Sequence, residues 1–138
     1  MKKQISIAII LLMASCNLYA QQPDYKVVFD MSTRDSVSQQ AIIRELELIR
    51  KENPAARLEV VIYGQAMSFA VKDQSRHAEA IRQLATDKNI SFKVCAFTMK
   101  RFNVDESKLV SGIEIVPDGI YELISKQREG WGYIKVAH

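Results

Sequence analysis

The most reactive side chain in this 138-residue chain is the thiol of Cys95. It follows the apolar residues 92–94, where a strand is expected to end, and residues 96–102 are expected to form a short helix just after it, with Lys100 and Arg101 nearby. The positive end of a helix favours the thiolate, which is the nucleophilic form of cysteine. A cysteine in an apolar strand also commonly packs as a small, inert core residue. The residue types therefore leave two interpretations open, a nucleophile and a buried core residue.

Other side chains could join Cys95 in a site, because ligands of open parallel sheets collect beyond the carboxyl ends of the strands. Arg34 and Asp35 could line the same cleft, although an exposed ion pair or, for Asp35, a helix N-cap explains them equally well. Trp131 and Tyr133 could form a partner surface or belong to the core. The loop candidates are Ser32, Thr33, Arg34 and Asp35 after the first strand, Gly64, Gln65 and Met67 after the second, and Cys95, Phe97, Thr98 and Met99 after the third.

Known signatures of cofactor and metal binding are missing from the sequence. It contains no GxGxxG and no Walker lysine loop, and the turn after the first strand lacks the glycine that would let the backbone wrap a flavin phosphate. The two imidazoles, His77 and His138, have no ligand-like partner at usable spacing. His77, near the start of a predicted helix, is interpreted as a solvated surface residue. We therefore expect neither a cofactor nor a metal.

Alternating strands and helices must position these side chains. Residues 25–31 and 57–63 are β-branched and aromatic runs typical of strands, and a capping box at residues 36–39 begins a helix between them. The pattern continues with a helix over 75–88 and strands over 90–97 and 113–116. A helix between 118 and 128 should then bury Ile120, Leu123 and Ile124 and end at a glycine cap, Gly130. A strand over 133–136 completes the order. Parallel strands need crossover connections, so this order predicts a single α/β domain in which helices cover both faces of a mainly parallel five-stranded sheet.

The first 20 residues have the order of a secretory signal peptide. Lys2 and Lys3 precede an apolar stretch, and the small residue Ala20 precedes a polar run. The apolar stretch is shorter than the roughly 20 residues that a permanent membrane helix needs. Cleavage after Ala20 would therefore leave a soluble periplasmic domain over residues 21–138.

A second processing route competes with this one. Residues 13–16, Met-Ala-Ser-Cys, resemble a bacterial lipobox, in which Cys16 would carry a lipid and anchor the domain to a membrane. Without that lipid no membrane contact is expected. Either route leaves Cys95 as the one free thiol, so no internal disulfide can form.

Composition and charge fit a folded domain with no nucleic-acid partner. The chain is 48% hydrophobic and 25% charged, as is usual for globular proteins. Its formal charge of +3 nearly disappears on processing, because removal of two of the 19 basic residues leaves 17 against 16 acidic ones. A nucleic-acid-binding domain is expected to be far more basic.

Three segments of the sequence resemble the DsrE/DsrF-like family. They are residues 92–100 (FKVCAFTMK), 115–119 (IVPDG) and 127–134 (QREGWGYI). The likeness extends across essentially the whole mature chain. It implies a three-layer α/β/α fold, assembly as a homotrimer or larger ring and, by analogy with the sulfur-relay members, a persulfide carried on the cysteine that matches Cys95.

The resemblance implies a function for the exported protein. The leading hypothesis is a sulfur carrier or sulfurtransferase of the bacterial envelope, in which a partly exposed Cys95 exchanges sulfur with a donor or an acceptor thiol on a protein or small molecule. The alternative is a non-catalytic binding or assembly module that keeps the fold and buries Cys95. Accessibility of the thiol in the folded protein separates the two.

Overall fold

A computed structural model describes residues 24–136 of the chain. The predicted signal peptide, the alternative lipobox at residues 13–16 and His138 lie outside the described residues. Within the described range, no helix is long and apolar enough to cross a membrane.

Five strands form one entirely parallel sheet, which confirms the predicted fold class. Their order across the sheet is β4-β3-β2-β1-β5, so the direction of winding reverses between β1 and β5. We call the edge at which all five strands end the carboxyl edge. The strands are β1 (Lys26–Met31), β2 (Arg57–Ile62), β3 (Ile90–Cys95), β4 (Ile113–Val116) and β5 (Gly132–Val136).

Helices cover the two faces of the sheet very unequally. The main apolar core, which includes the fully buried Leu46, Phe69 and Phe92, lies between the sheet and four helices on what we call the core face. On the opposite face, the α5 face, a small cluster of Val28, Val61 and Leu123 packs beneath one helix. The helices are α1 (Ser36–Glu52), α2 (Met67–Ala70), α3 (Ala78–Leu84) and α4 (Ala96–Arg101) on the core face, and α5 (Gly119–Arg128) on the other.

The first helix begins as predicted but is capped by a different residue. Asp35, rather than Ser36, is the N-cap of α1, and its carboxylate accepts a hydrogen bond of 2.6 Å from the backbone N–H of Ser38. Gln39 does not complete a capping box, because its side-chain amide donates to the carbonyl of Thr33 at 3.3 Å. The N-cap alternative for Asp35 is therefore confirmed, since a short carboxylate can reach the unpaired N–H groups of a first helical turn.

The helix predicted over residues 75–88 is shorter in the structure. Contacts with a distant segment hold the chain before it, because Val71 forms an antiparallel bridge with Leu109 and the Lys72 N–H donates to the Lys108 carbonyl at 3.0 Å. The chain therefore becomes helical only at α3, after a series of turns. Long-range pairing of this kind is invisible to a periodicity argument.

The predicted burial of α5 is only partly right. Leu123 is buried, but Ile120 and Ile124 are 48% and 42% exposed, and the other buried position is Gly119. Within the described residues, α5 has no second helix beside it and meets the sheet along a narrow line, so side chains next to that line remain in solvent. Gly130 ends the helix as predicted, with the positive φ of 82° that favours glycine.

Candidate functional site

Cys95 lies where the sequence places it. It is the last residue of β3 and the N-cap of α4, at the carboxyl edge. It is also the one free cysteine among residues 24–136. Lys100 and Arg101 stand in the last turn of α4, at the opposite end of that helix from the thiol. The strand-end prediction is therefore confirmed, but these two cations belong to the far end of α4.

The prediction that Cys95 is partly exposed is wrong, because only 5% of the residue is accessible. The first residue of α5 covers it. A Cβ atom built on Gly119 would stand 3.2 Å from the Cβ of Cys95 and 3.3 Å from the Cβ of Tyr63. The α5 backbone thus packs directly on these two side chains, which only a glycine permits without displacement. Cys95 is consequently buried on the α5 face, outside the main apolar core.

Asp118 fixes the start of α5 above Cys95. Its carboxylate accepts hydrogen bonds from the backbone N–H groups of Ile120 at 2.8 Å and Tyr121 at 3.4 Å. This capping holds the first turn of a ten-residue helix in place. The positive end of the α5 dipole therefore lies beside Cys95, and such helix ends attract anionic groups.

A polar cluster lies where the strand order reverses, between β1 and β5. Asp30 is 3% exposed, and its Oδ2 accepts the hydroxyl of Tyr133 at 2.6 Å. The ammonium of Lys135 donates to both carboxylate oxygens at 3.1 Å and to the Ser32 hydroxyl at 2.7 Å. Tyr63, which the start of α5 also covers, lies on the other side, with its ring centroid 5.8 Å from the Lys135 ammonium. We call Asp30, Tyr63, Tyr133, Lys135 and Ser32 the switch-point cluster.

The two tyrosines and the lysine of the switch-point cluster cannot act as general bases at neutral pH. The hydrogen bond to Asp30 and partial burial raise the pKa of Tyr133 to about 12. Burial and the nearby Asp30 raise the pKa of Tyr63. Partial burial disfavours the charged form of Lys135, but the Asp30 carboxylate outweighs it and raises the pKa of Lys135. All three groups therefore keep their protons at neutral pH.

A separate cleft of about 260 Å³ opens elsewhere among the loops. The expectation that Arg34 and Asp35 line one cleft with Cys95 is wrong. Arg34 lines this cleft, whereas Asp35 is the N-cap of α1 and Cys95 is not among the lining residues. The Arg34 guanidinium donates to the side-chain carbonyl of Gln65 at the cleft wall. The lining residues are Arg34, Gln65, Met67, Ser68, Gln74, Phe102 and Val104.

The remaining loop candidates have structural or surface positions. The N–H of Gly64 donates to the hydroxyl of Thr98 at 3.1 Å, which joins the end of β2 to α4. Met99 belongs to the main core, whereas Phe97 is 67% exposed. The candidates thus contribute to several places along the carboxyl edge rather than to one site.

A buried carboxylate that the sequence analysis missed lies beneath α5. Glu59 of β2 is 2% exposed, and its Oε2 accepts the Ser91 hydroxyl at 3.1 Å. The Lys126 ammonium is 3.7 Å from Glu59 Oε2 and 3.6 Å from Oε1 of Glu122, while Glu59 Oε1 has no hydrogen-bond partner in the described part of the chain. Burial raises the pKa of Glu59 to about 7, with Lys126 opposing the rise and Glu122 adding to it. We call Glu59, Ser91, Glu122 and Lys126 the Glu59 cluster.

His77 and Trp131 are both half-buried. The ring of His77 lies 5.7 Å from that of Phe69, and burial, followed by the charge of Arg76, lowers its pKa, so the solvated-surface interpretation is wrong. Trp131 packs against the α5 face with the cations of Lys126 and Arg57 over its ring.

Across residues 24–136, no group of three or more His, Cys, Asp or Glu side chains could hold a metal ion.

A family model decides the relationship of this chain to known proteins. The model of the DsrE/DsrF-like family matches residues 26–136, which span all five strands. The chain belongs to the DsrE/DsrF-like family. The resemblance seen in three sequence segments is thereby confirmed for the family and for the fold.

Solved structures agree with this assignment. A protein of unknown function from Methanobacterium thermoautotrophicum, MTH1491, is 26% identical, with a TM-score of 0.76 over 81% of this chain and 99% of that one. The ychN protein from E. coli is 15% identical, with a TM-score of 0.67 over 82% and 99%. A Bacteroides thetaiotaomicron protein of unknown function, BT1422, is 13% identical, with a TM-score of 0.63 over 80% and 93%; the last two likenesses show the fold only. No curated protein matches the chain significantly.

The Glu59 cluster generates a pH prediction for this DsrE-family protein. The pKa of Glu59 is raised from an ordinary 4.5 to about 7, so folding strengthens its hold on the proton. Its favourable contribution is complete below pH 4.5 and is lost as the pH rises through 7. Between about pH 5 and pH 8, wild type should therefore lose about 2 kcal/mol of unfolding free energy relative to Glu59→Gln.

Urea denaturation at the two pH values measures this difference. Glu114→Gln is the matched control, because Glu114 is an exposed carboxylate on the same sheet face and pairs with Lys93. The control should follow wild type. Wild type and Glu59→Gln with parallel pH dependence would contradict the prediction.

Proposed function

We propose that this protein is an exported sulfur carrier or sulfurtransferase in which Cys95 holds sulfane sulfur as a persulfide. The observation that carries the proposal is the position of Cys95 at the carboxyl end of β3, beneath the first residue of α5 and outside the main core. Parallel α/β sheets bind their ligands at this edge. A thiol that served packing alone would be expected among the core-face residues.

Sulfur transfer at this position needs two displacement steps. Cys95 first loses its proton to solvent, and its thiolate attacks the sulfane sulfur of a donor such as a polysulfide or thiosulfate. The donor's sulfur bond breaks, its leaving group takes the electron pair, and a Cys95 persulfide remains. An acceptor thiolate then attacks the outer sulfur, and the Cys95 thiolate leaves. Sulfane sulfur is handed on without net oxidation, so no redox cofactor is required.

The burial of Cys95 restricts how the partners can reach it. At 5% exposure the thiol cannot be attacked in the packed state, so the start of α5 or of α4 has to move. If the chain is cleaved after Ala20, the second thiol must come from a partner protein or a small molecule, because Cys95 is the one free cysteine in the described range. A site that opens only transiently limits side reactions of its persulfide while still admitting small donors and alkylating reagents.

A second candidate function is a non-catalytic assembly module. The low exposure of Cys95 favours it, as do large apolar side chains left in solvent near the carboxyl edge. Phe97 is 67% exposed and Tyr121 66%, and Ile120 and Ile124 accompany Tyr121 on α5. Exposed apolar patches of this kind mark protein interfaces.

The carrier proposal predicts a specific covalent change. Incubation with polysulfide or thiosulfate should add sulfur to the wild-type protein in a form that reductant removes, whereas Cys95→Ala should remain unmodified. Intact-mass spectrometry before and after reduction measures this.

The same preparation provides the controls. Circular dichroism should show that Cys95→Ala is folded, because the substitution removes little volume. A native thiol that resists alkylation until the protein is denatured would sink the carrier proposal and support the assembly module.

Export predicts the start of the mature chain. The basic, apolar and small-residue order of the first 20 residues should lead to cleavage after Ala20, so the mature chain should begin at Gln21 in the periplasmic fraction. Intact mass of the fractionated protein measures this. A diacylated species beginning at Cys16 would instead establish a membrane-anchored lipoprotein.

We also expect a homo-oligomer, most simply a trimer, by resemblance to other DsrE/DsrF-like proteins; closed symmetry is usual for soluble oligomers. The outer surface of α5 supports this expectation through Tyr121 and its apolar neighbours. Tyr121→Asp should therefore lower the sedimentation coefficient, while Tyr25→Asp, at an exposed tyrosine just before β1, should not. A wild-type monomer at every concentration would contradict the expectation.

A further inference from the structure

The helix that covers Cys95 has little apolar contact with the sheet. It buries only Gly119 and Leu123 among its ten residues. The cluster at its contact with the sheet consists of Val28 and Val61 from the strands and Leu123 from the helix, with Tyr63 and Trp131 partly buried at its border. Elements with few buried apolar contacts are the ones that open locally while the rest of a protein stays folded. A modest change in electrostatic free energy can therefore decide whether α5 stays packed.

The Glu59 cluster lies directly under α5, so a change in the charge of Glu59 alters the electrostatic free energy of packing α5. From β2, the buried Glu59 carboxylate faces the helix, and from β3 only the Ser91 hydroxyl reaches it. From α5 come the Glu122 carboxylate and the Lys126 ammonium, which stands between the two carboxylates. One cation thus serves the buried Glu59, the mostly buried Glu122 and, at 3.7 Å, the more exposed Glu129.

The other charged groups on this face have partners of their own. Arg57, two residues before Glu59 on β2, stacks on the Trp131 ring at 5.4 Å. Lys93 of β3 pairs with Glu114 of β4. Glu129 lies 3.7 Å from Lys126 and shares its charge. On the β1 and β5 side stand the uncharged Val28 and the phenol of Tyr133, which donates to Asp30. None of these groups supplies Glu59 with a second cation.

We propose that the Glu59 cluster makes the packing of α5 depend on pH, so that α5 covers Cys95 when Glu59 is protonated and uncovers it when Glu59 ionises. The inference concerns regulation of Cys95 and in that respect rests on the sulfur-carrier function proposed above. A protonated Glu59 leaves Lys126 balanced by Glu122. An ionised Glu59 is a buried charge beside a second carboxylate, and lifting α5 lets water reach it.

The direction and size of the pH effect on α5 packing follow from the linkage between packing and proton binding by Glu59. Glu59 binds its proton more tightly when α5 is packed, with a pKa of about 7 against an ordinary 4.5, so rising pH favours the open form. Between about pH 5.5 and pH 8, the equilibrium constant for opening α5 should rise at least about tenfold. Most of that fold-rise comes below pH 7, and the equilibrium constant levels off above it.

Hydrogen exchange of the mature protein tests the opening itself. Backbone amides of Gly119–Arg128 should show protection factors, corrected for intrinsic exchange, that fall at least about tenfold over this pH range in wild type. Glu59→Gln should remove the pH dependence, and Glu122→Gln should reduce it, because one of the two carboxylates is gone. The matched control Glu114→Gln should behave as wild type.

Alkylation of Cys95 in the same samples tests the consequence for the thiol. The ratio of the wild-type rate to the Glu59→Gln rate at each pH cancels the ionisation of the thiol itself. This ratio should stay near one at low pH and rise at least about fivefold by pH 8.

The outcomes separate the two proposals. A wild-type α5 whose protection does not change with pH overturns the Glu59 inference, whatever chemistry Cys95 performs. Protection that falls equally in wild type and Glu59→Gln overturns it too, because another group is then responsible. Protection and alkylation that respond as expected, in a protein that never forms a persulfide, leave the pH-dependent cover established and overturn the carrier function alone.

Discussion

The close approach of the α5 backbone to the sheet at Gly119 is the constraint on which the site depends. Because position 119 has no side chain, the start of α5 can rest on Cys95 and Tyr63 at van der Waals distance. The same approach sets the height of the whole helix above the sheet, and so places Glu122 and Lys126 over Glu59. Burial of the thiol and enclosure of a carboxylate with a raised pKa are thus two results of one backbone contact.

The two faces of the sheet differ in how much apolar and how much charged surface they bury. The core face buries most of the large apolar side chains and secures the fold through four helices. The α5 face instead carries charged and hydroxyl groups in its strands, among them Asp30, Glu59 and Lys93. A face that contributes little apolar burial can tolerate buried charges and local opening, because global stability lies elsewhere. The α5 face can therefore open locally without unfolding of the whole domain.

Sequence reasoning predicted the elements well and the site only in part. Strand and helix patterns fixed the position of Cys95 at the end of β3, because local apolar runs and turn residues determine where elements begin and end. The same reasoning placed Arg34 near Cys95, since it could say that both lie at the carboxyl edge but not on which side of it each side chain packs. It missed Asp30 and Glu59 because their partners are distant in sequence, Tyr133 and Lys135 for the first and Ser91 and Lys126 for the second. Exposure of Ile120 and Ile124 was missed because a helical period does not reveal whether a second helix lies alongside.

The pairing of β5 with β1 ties the first described strand to the last. Asp30 is buried against Tyr133 and Lys135, about 100 residues further along the chain, so these two contacts cannot form until the C-terminal segment arrives. Contacts between such distant residues form slowly, because closing so long a loop opposes them entropically. The sheet therefore cannot be completed while the chain is still emerging. Until β5 pairs with it, β1 remains an edge strand of the sheet.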